Sequence, residues 1–401
     1  MRDLRVLHVI TRLIVGGAQE NTLLTAIGQH KTPGMKVTLV SGIDNGPEGN
    51  LHERAYAEGL DFRLMPELVR PIDPLTDIRA LAKLVMLMRG GKYDLVHTHS
   101  SKAGILGRVA ARIAGVPIVV HTLHSLVFGE HATPSQNALY LTLKRLCAPL
   151  TTKFISVADA TRRGALAARI GKPEQHVVVF SGFAIAPFLS IRDELTTVEA
   201  KARFGFAPDD LIVGKVARLF AQKGHDHFLK AARRIAEREP RAKFLLVGDG
   251  LLRRDLEDAA AQFGIRDRVH FAGLVAPEEV PAHMQAMDVV VHTSVREGLA
   301  RVIPQAAAVG KPVVGFAMDG TPEVVLHGKT GFLAAPLADE EIADRVLDLL
   351  GDPPLREKMG ESGRNLVASQ FSVEVMVRRI NDVYRDLVRD RLQKVSLAPI
   401  G

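Results

Sequence analysis

Short apolar runs alternate with amphipathic stretches at helical spacing along most of this chain. The runs Val6–Ile10, Val37–Ser41, Phe62–Leu64, Leu95–Thr98, Ile118–His121, Phe154–Ser156 and Val177–Phe180 predict strands. Helices are predicted between them near residues 18–30, 76–88, 102–114, 137–146 and 159–170. A second series has strands at Ile212–Val216, Phe244–Val247, Val269–Phe271, Val289–His292 and Val313–Phe316. Its helices are expected near residues 226–238, 251–263, 278–286 and 300–309. Such alternation calls for parallel sheets covered by helices on both faces. Two series in 401 residues predict two Rossmann-like α/β domains, each large enough to bury a core. Ligands of such sheets sit at the C-terminal strand ends, so a shared ligand is expected in a cleft between the domains. The boundary is expected in Ser181-Gly182-Phe183-Ala184-Ile185-Ala186-Pro187, giving domains 1–185 and 186–371. A final helix, predicted over 372–395, sets Val373, Met376, Val377, Ile380, Val383, Tyr384 and Leu387 on one face.

The stretch from Arg296 to Val325 carries the most chemistry. It is expected to run from a turn holding Glu297 into a helix over about Ala300–Val309, ended by Gly310-Lys311-Pro312. After the strand, Asp319-Gly320-Thr321-Pro322 is expected to open another helix. Free amides of Gly298, Leu299 and Ala300 at a helix N-terminus attract phosphate through unpaired N–H groups and the helix dipole. A carboxylate beside that anion site suits sugar hydroxyls. Phosphate plus sugar points to a nucleotide-sugar.

Other strand ends agree. Arg218 follows the first strand of the second series, and Lys223 precedes the next helix. Two cations there can stabilise the charge that a departing diphosphate develops. Gly16-Gly17 follows the first strand and lets backbone approach a bulky anion or sugar. His99 and His124 stand at strand ends, where an imidazole can meet a hydroxyl or, charged, a phosphate. His97 and His121 lie on alternate sheet faces and are expected to be structural. His97-Thr98-His99 has the spacing of a metal pair, but no Cys, Asp or third His is read at ligand spacing nearby, so no metal is expected there.

Several classes are disfavoured. Gly248-Asp249-Gly250 is half of a dinucleotide fingerprint, but Arg253 fills the third glycine position, which argues against that cofactor. No Asp-x-Asp occurs, so positive side chains rather than a divalent ion are expected to hold the diphosphate. Apolar residues make up 47% and charged residues 24%, as in ordinary soluble proteins. No run reaches the roughly 18 apolar residues of a membrane span. The chain enters a strand at once without a cleavage signature, and Cys147 stands alone, which fits a reducing cytoplasm. Residues 1–187 hold 22 of the 52 Lys+Arg and 14 of the 45 Asp+Glu, a balance of +8 against −1 for the rest. That excess suits phosphorylated acceptors or an anionic membrane surface. Nucleic acid is not expected, since Trp is absent, Tyr numbers four and no arginine-rich tract occurs.

The Glu297 segment resembles the donor-binding signature of the family 4 retaining glycosyltransferases, where one Glu is followed eight positions later by another. In that family the first holds hydroxyls of the transferred sugar and the second holds the ribose. Glu297 matches the first, but Gln305 stands at the second, so the pattern is broken. Gln still offers an acceptor oxygen and adds two donors. Arg218 and Lys223 resemble the pair that grips the pyrophosphate, and Gly16-Gly17 resembles the family's glycine loop. His124 matches the histidine near the transferred sugar and diphosphate, His99 an acceptor-side position, and Gly273 a strand end beside the nucleoside base.

The resemblance covers nearly the whole chain and implies the GT-B fold, with the last helix (372–401) crossing back to the N-terminal domain. It implies an acceptor-binding N-terminal domain, a donor-binding C-terminal domain and metal-independent retaining transfer of a hexosyl or N-acetylhexosaminyl group. A UDP-sugar is the favoured donor, a GDP-sugar the second, and a lipid-linked or polysaccharide precursor the acceptor. The region His97–Ser125 resembles transferases of bacterial surface polysaccharides, which implies a cytoplasmic enzyme peripheral at the inner face of the cell membrane. Two alternatives stand: a hydrolysing nucleotide-sugar epimerase of the same architecture, and a catalytically weak nucleotide-sugar-binding subunit, which Gln305 favours.

Overall fold

Thirteen strands form two all-parallel sheets in the computed structural model, which describes residues 2–43, 49–125 and 133–396. The chain divides into two compact units, residues 1–183 with 373–401, and residues 184–372. Their charges differ more than the two halves of the sequence do. The first unit holds 28 Lys+Arg against 18 Asp+Glu, a balance of +10, and the second holds 24 against 27, a balance of −3.

In the first unit the strands are β1 (Leu4–Arg12), β2 (Met35–Gly42), β3 (Asp61–Leu64), β4 (Leu95–Thr98), β5 (Ile118–Leu123), β6 (Lys153–Ser156) and β7 (His176–Val178). They lie in the order β3-β2-β1-β4-β5-β6-β7. Central β1 and β4 are buried on both faces, as strands sandwiched between helix layers must be. Their register sets His8 beside His97 although 89 positions separate them. On one face Leu23, Leu24 and Ile27 of the helix Gly17–His30 pack with Met376, Val377, Ile380 and Tyr384 of the last helix, Val373–Ser396. A Cβ placed on Gly28 would fall 2.5 Å from Val377 Cγ2, so the glycine permits that close packing. On the other face Leu84, Met88, Ala103 and Ala110 cover Leu7, Val9, Val40 and Val96.

The second unit holds β8 (Leu211–Val216), β9 (Ala242–Val247), β10 (Val269–Gly273), β11 (Val289–His292), β12 (Val313–Phe316) and β13 (Gly331–Ala334), in the order β10-β9-β8-β11-β12-β13. Phe228, Phe244, Leu246, Val291, Phe316, Ile342 and Leu349 share its core.

Several expectations change. β13 was not predicted, nor were the helices His52–Ala57, Ala186–Glu194, Thr197–Arg203, Asp339–Gly351 and Pro353–Ala368. Pro187, read as a linker residue, stands in the first turn of Ala186–Glu194, where its missing N–H leaves no helical bond unmade. Asp319–Pro322 leads only into the 3₁₀ turn Thr321–Glu323 rather than a full helix. Residues 397–401 of the expected final helix lie outside the described residues. Among the described residues no helix is long and apolar enough to cross a membrane.

Candidate active site

At the C-terminal ends of β8 and β11 two loops lock together. The first passes through the 3₁₀ turn Ala221–Lys223 and reverses at Gly224, whose φ is +61°, before the helix His225–Arg238. Thr293, just past β11, donates its hydroxyl to the Gly224 carbonyl at 2.6 Å and accepts from the buried Lys215 ammonium at 2.8 Å. Val295 donates its amide to the Gln222 carbonyl at 3.0 Å. A Cβ on Gly224 would lie 2.0 Å from the Thr293 carbonyl oxygen, so only glycine allows the contact.

This lock brings Lys223 to Glu297. The ammonium bonds to the carboxylate, and Ser294 Oγ donates to the same Glu297 oxygen at 3.1 Å. Burial alone would raise the Glu297 carboxyl, but the charge of Lys223 with the two hydrogen bonds holds it below the ordinary carboxylate range. The Glu297 amide donates to Asp319 Oδ2 at 2.5 Å, and Gly320 N–H donates to the Gly298 carbonyl at 2.8 Å. Burial raises the Asp319 carboxyl. It also pushes Lys215 down to about 7 and His292 down to about 3, so the ground beneath the pair holds little extra charge.

The helix after Glu297 starts later than expected, at Val302 rather than Ala300. Pro304 has no N–H to give the Ala300 carbonyl, which accepts from Ile303 in a tighter turn. The amides of Gly298, Leu299 and Ala300 therefore precede the helix, and among the described residues they donate to no protein acceptor. Gln305 is half-buried in the first helical turn, and its side-chain amide bonds to no described residue. Arg218 stacks its guanidinium 4.9 Å from the Phe220 ring centre, and its carbonyl accepts from His225 Nε2 at 2.9 Å. Gly273 ends β10 at a φ of +74°, its carbonyl accepting from Gly248 N–H at 2.8 Å. All these groups belong to the second unit.

Gly16, Gly17, His99 and His124 belong to the first. Gly16 precedes the helix Gly17–His30 in extended backbone, and its carbonyl accepts from Glu20 N–H at 2.9 Å. The histidines correct two expectations. A third histidine does stand beside His97 and His99, because the pairing of β1 with β4 delivers His8, and ring nitrogens of the three lie within 4.8 Å of one another. His99, expected to face an acceptor, is 1% exposed and sits between His8 and His124.

The ring bonds are specific. His8 meets His99 at 3.0 Å and Gln29 Oε1 at 2.7 Å, while His99 meets His124 at 3.3 Å. His97 is bonded separately to Tyr384 at 2.5 Å and Thr122 at 2.7 Å. His121 turns to the other face, 2.9 Å from Thr98 Oγ1. Burial lowers His8 and His124 to about 4, and pushes His97 and His99 well below their ordinary value. Among the described residues His8, His97 and His99 could hold a metal, but an ion would have to replace hydrogen bonds already made by their ring nitrogens.

Comparison with known proteins fixes the family. Residues 16–182 match the model described as glycosyl transferase 4-like domain, and residues 197–366 match glycosyl transferases group 1. The chain is 31% identical over 328 residues to the UDP-Gal:alpha-D-GlcNAc-diphosphoundecaprenol alpha-1,3-galactosyltransferase of Escherichia coli, covering 81% of this chain and 83% of that protein. The chain belongs to the family 4 glycosyltransferases. This glycosyltransferase is also 31% identical to the 2-deoxystreptamine glucosyltransferase of Streptomyces kanamyceticus, over 73% of its own length and 78% of that protein. The GT-B fold is shared with the crystal structure of Anabaena Alr3699/HepE in complex with UDP. There the TM-score is 0.79 at 23% identity, with 96% of this chain and 100% of that one covered.

Sequence reasoning reached Glu297, Lys223 and their neighbours but missed Ser294, Lys215, His8 and Gln29. Lys215 had a signal, a lone charge inside the apolar strand β8. His8 and Gln29 had none, since only the strand order brings them to His99.

Proposed function

We propose that this glycosyltransferase moves a sugar from a nucleoside diphosphate-sugar to a hydroxyl acceptor, with retention at the anomeric carbon and without a metal ion. A UDP-sugar is the favoured donor and a GDP-sugar the second. The observation that carries this reading is the Lys223–Glu297 pair beside the unused amides of Gly298, Leu299 and Ala300. Those groups supply, within one unit, cation and N–H donors for a diphosphate and a carboxylate for sugar hydroxyls.

In the reaction the bond from the anomeric carbon to the β-phosphate oxygen breaks, and the electron pair leaves with the diphosphate. The acceptor oxygen bonds to the same face of that carbon, and its proton passes to the β-phosphate. Lys223 and Arg218 stabilise the departing charge. An ammonium has three donors, so Lys223 can keep Glu297 and still take a phosphate oxygen. Gln305 meets the ribose and Gly273 borders the base, while Gly16-Gly17 gives the first unit a backbone that a phosphate or sugar can approach closely.

The acceptor is a lipid-linked or polysaccharide precursor received by the first unit. The E. coli relative, named for a diphosphoundecaprenol-linked acceptor, supports that class. The balance of +10 on the first unit suits both a phosphorylated acceptor and the anionic inner face of a membrane.

A thermal-shift screen with UDP, GDP, ADP and their sugars tests the donor. A ligand at a hundred times its dissociation constant adds roughly 2.7 kcal/mol of stability. Stabilisation by ADP-sugars alone would overturn the assignment. With a donor in hand, proton NMR of the product reads the anomer, and turnover abolished by EDTA and restored by Mg²⁺ or Mn²⁺ would overturn the metal-free mechanism. Liposome binding that rises with anionic lipid and falls with salt is expected of the membrane contact.

A further inference from the structure

The histidine chain beneath His124 has a direction that hydrogen-bond chemistry fixes from its far end. The helix Gly17–His30 closes near Thr32, whose hydroxyl donates to the Gly28 carbonyl at 2.8 Å. A hydroxyl has one proton, so toward Asn381 the Thr32 oxygen can only accept, and Asn381 Nδ2 donates to it at 3.3 Å. Asn381 then turns Oδ1 toward Gln29, whose Nε2 donates to it at 2.9 Å. Gln29 in turn presents Oε1 to His8 Nε2 at 2.7 Å, and that oxygen requires a proton on Nε2.

From there each neutral ring dictates the next. His8 carries its single proton on Nε2, so its Nδ1 is bare and accepts from His99 Nε2 at 3.0 Å. His99 is then bare at Nδ1 and accepts from His124 Nε2 at 3.3 Å. The rings stack as they bond, with centroids 5.3 Å apart for His8–His99 and 5.5 Å for His99–His124. Burial keeps all three uncharged near neutral pH. Every bond donates inward. The outward end is His124 Nδ1, a bare lone pair with no partner among the described residues.

We propose that Gln29, His8 and His99 are positioning residues that lock His124 as its Nε2–H tautomer, so that its Nδ1 accepts a hydrogen bond from a substrate hydroxyl. A neutral acceptor there repels phosphate oxygen rather than holding it, so His124 selects a hydroxyl over a phosphate. The hydroxyl partner rests on the transferase reading above; the tautomer does not.

Two-bond ¹H–¹⁵N correlation spectra of histidine-labelled full-length protein test the lock without ligand. His8, His99 and His124 are expected to be protonated at Nε2 and bare at Nδ1. A proton on His124 Nδ1 overturns the proposal, and so does displacement of the His8 and His99 signals by one equivalent of Zn²⁺, which would make the cluster a metal site. Gln29→Met removes the acceptor that starts the chain and is expected to leave His124 as a mixture of tautomers. A single unchanged tautomer in that variant would remove Gln29 from the lock, and the wild-type spectrum stands whether or not the variant folds. A UDP-sugar that stabilises the protein is expected to shift His124 Nδ1, whereas UDP alone is not. A shift with UDP alone overturns the hydroxyl role, while the absence of any stabilising nucleotide-sugar would overturn the donor reading and leave the tautomer result intact.

Discussion

The Lys223 ammonium is bonded to the Glu297 carboxylate, 74 positions further along the chain. The cation keeps the carboxyl ionised, since burial would otherwise raise Glu297. Lys223→Ala is therefore expected to act twice. Turnover should fall by roughly 10²-fold, the scale for losing one donor to developing charge. The acidic limb of the kcat–pH profile should also move to higher pH, because the released carboxyl loses the cation that holds it low. Wild-type turnover, or a limb that stays in place, would separate the two residues.

Gln305 offers a neutral amide where the family signature has a carboxylate. Hydrogen bonds to charged groups contribute about 1.5–3 kcal/mol against 0.5–1.5 for neutral ones. Gln305→Glu is expected to tighten donor binding by up to roughly tenfold, read in KM, since ribose bonds barely change during transfer. Glu297→Gln should instead lower kcat. Steady-state kinetics of both variants check the contrast, and unchanged constants in both would take these residues out of the donor site.

The buried histidines and lysines make stability rise with pH. His8 is held at about 4 in the folded chain against 6.5 unfolded, so between those values the unfolded chain binds more protons. Its contribution is present above pH 6.5 and is lost as the pH falls toward 4, about 3 kcal/mol in full. Lys144, Lys215 and Lys311 are lowered by burial to about 7, so unfolded chains again bind more protons between 7 and 10.5. Urea unfolding at intervals from pH 4.5 to 9.5 should give a steadily rising stability; a flat profile would contradict it.

Gly28 and Val377 share one space. Gly28→Ala places a methyl 2.5 Å from Val377 Cγ2 and is expected to destabilise by about 1–3 kcal/mol. Adding Val377→Ala should restore part of that loss, a coupling that a double-mutant cycle in urea reads directly. Additive losses would mean that the helix Val373–Ser396 shifts away instead.

Much of this was legible in the sequence, for identifiable reasons. Inner strands such as β4, β5, β11 and β12 are short apolar runs that burial on both faces demands, and the Glu297 segment carries its own motif. The helix Asp339–Gly351 was also readable, since Ile342, Ala343, Val346, Leu349 and Leu350 repeat at helical spacing. β13 was harder. It has four residues, and Phe332 and Leu333 within it are only half-buried. The late start at Val302 turned on Pro304, whose missing N–H acts on a carbonyl four positions earlier. The His8–His99–His124 chain was invisible, because it depends on β4 lying beside β1 and on amide orientations set by a helix more than 350 positions from Gln29.

That helix has a consequence for how the protein is made. Met376 Sδ accepts from the Gly182 amide at 3.1 Å and from Asn21 Nδ2 at 3.0 Å, and Tyr384 bonds to His97, so residues 1–183 remain incomplete without it. Residues 184–372, the whole second unit, are synthesised first. At roughly 5–20 residues per second, the ribosome takes about 10–40 s over that stretch. The first unit to emerge is thus the last to be finished, and through that interval its apolar face over Leu23 and Ile27 stands open to chaperones.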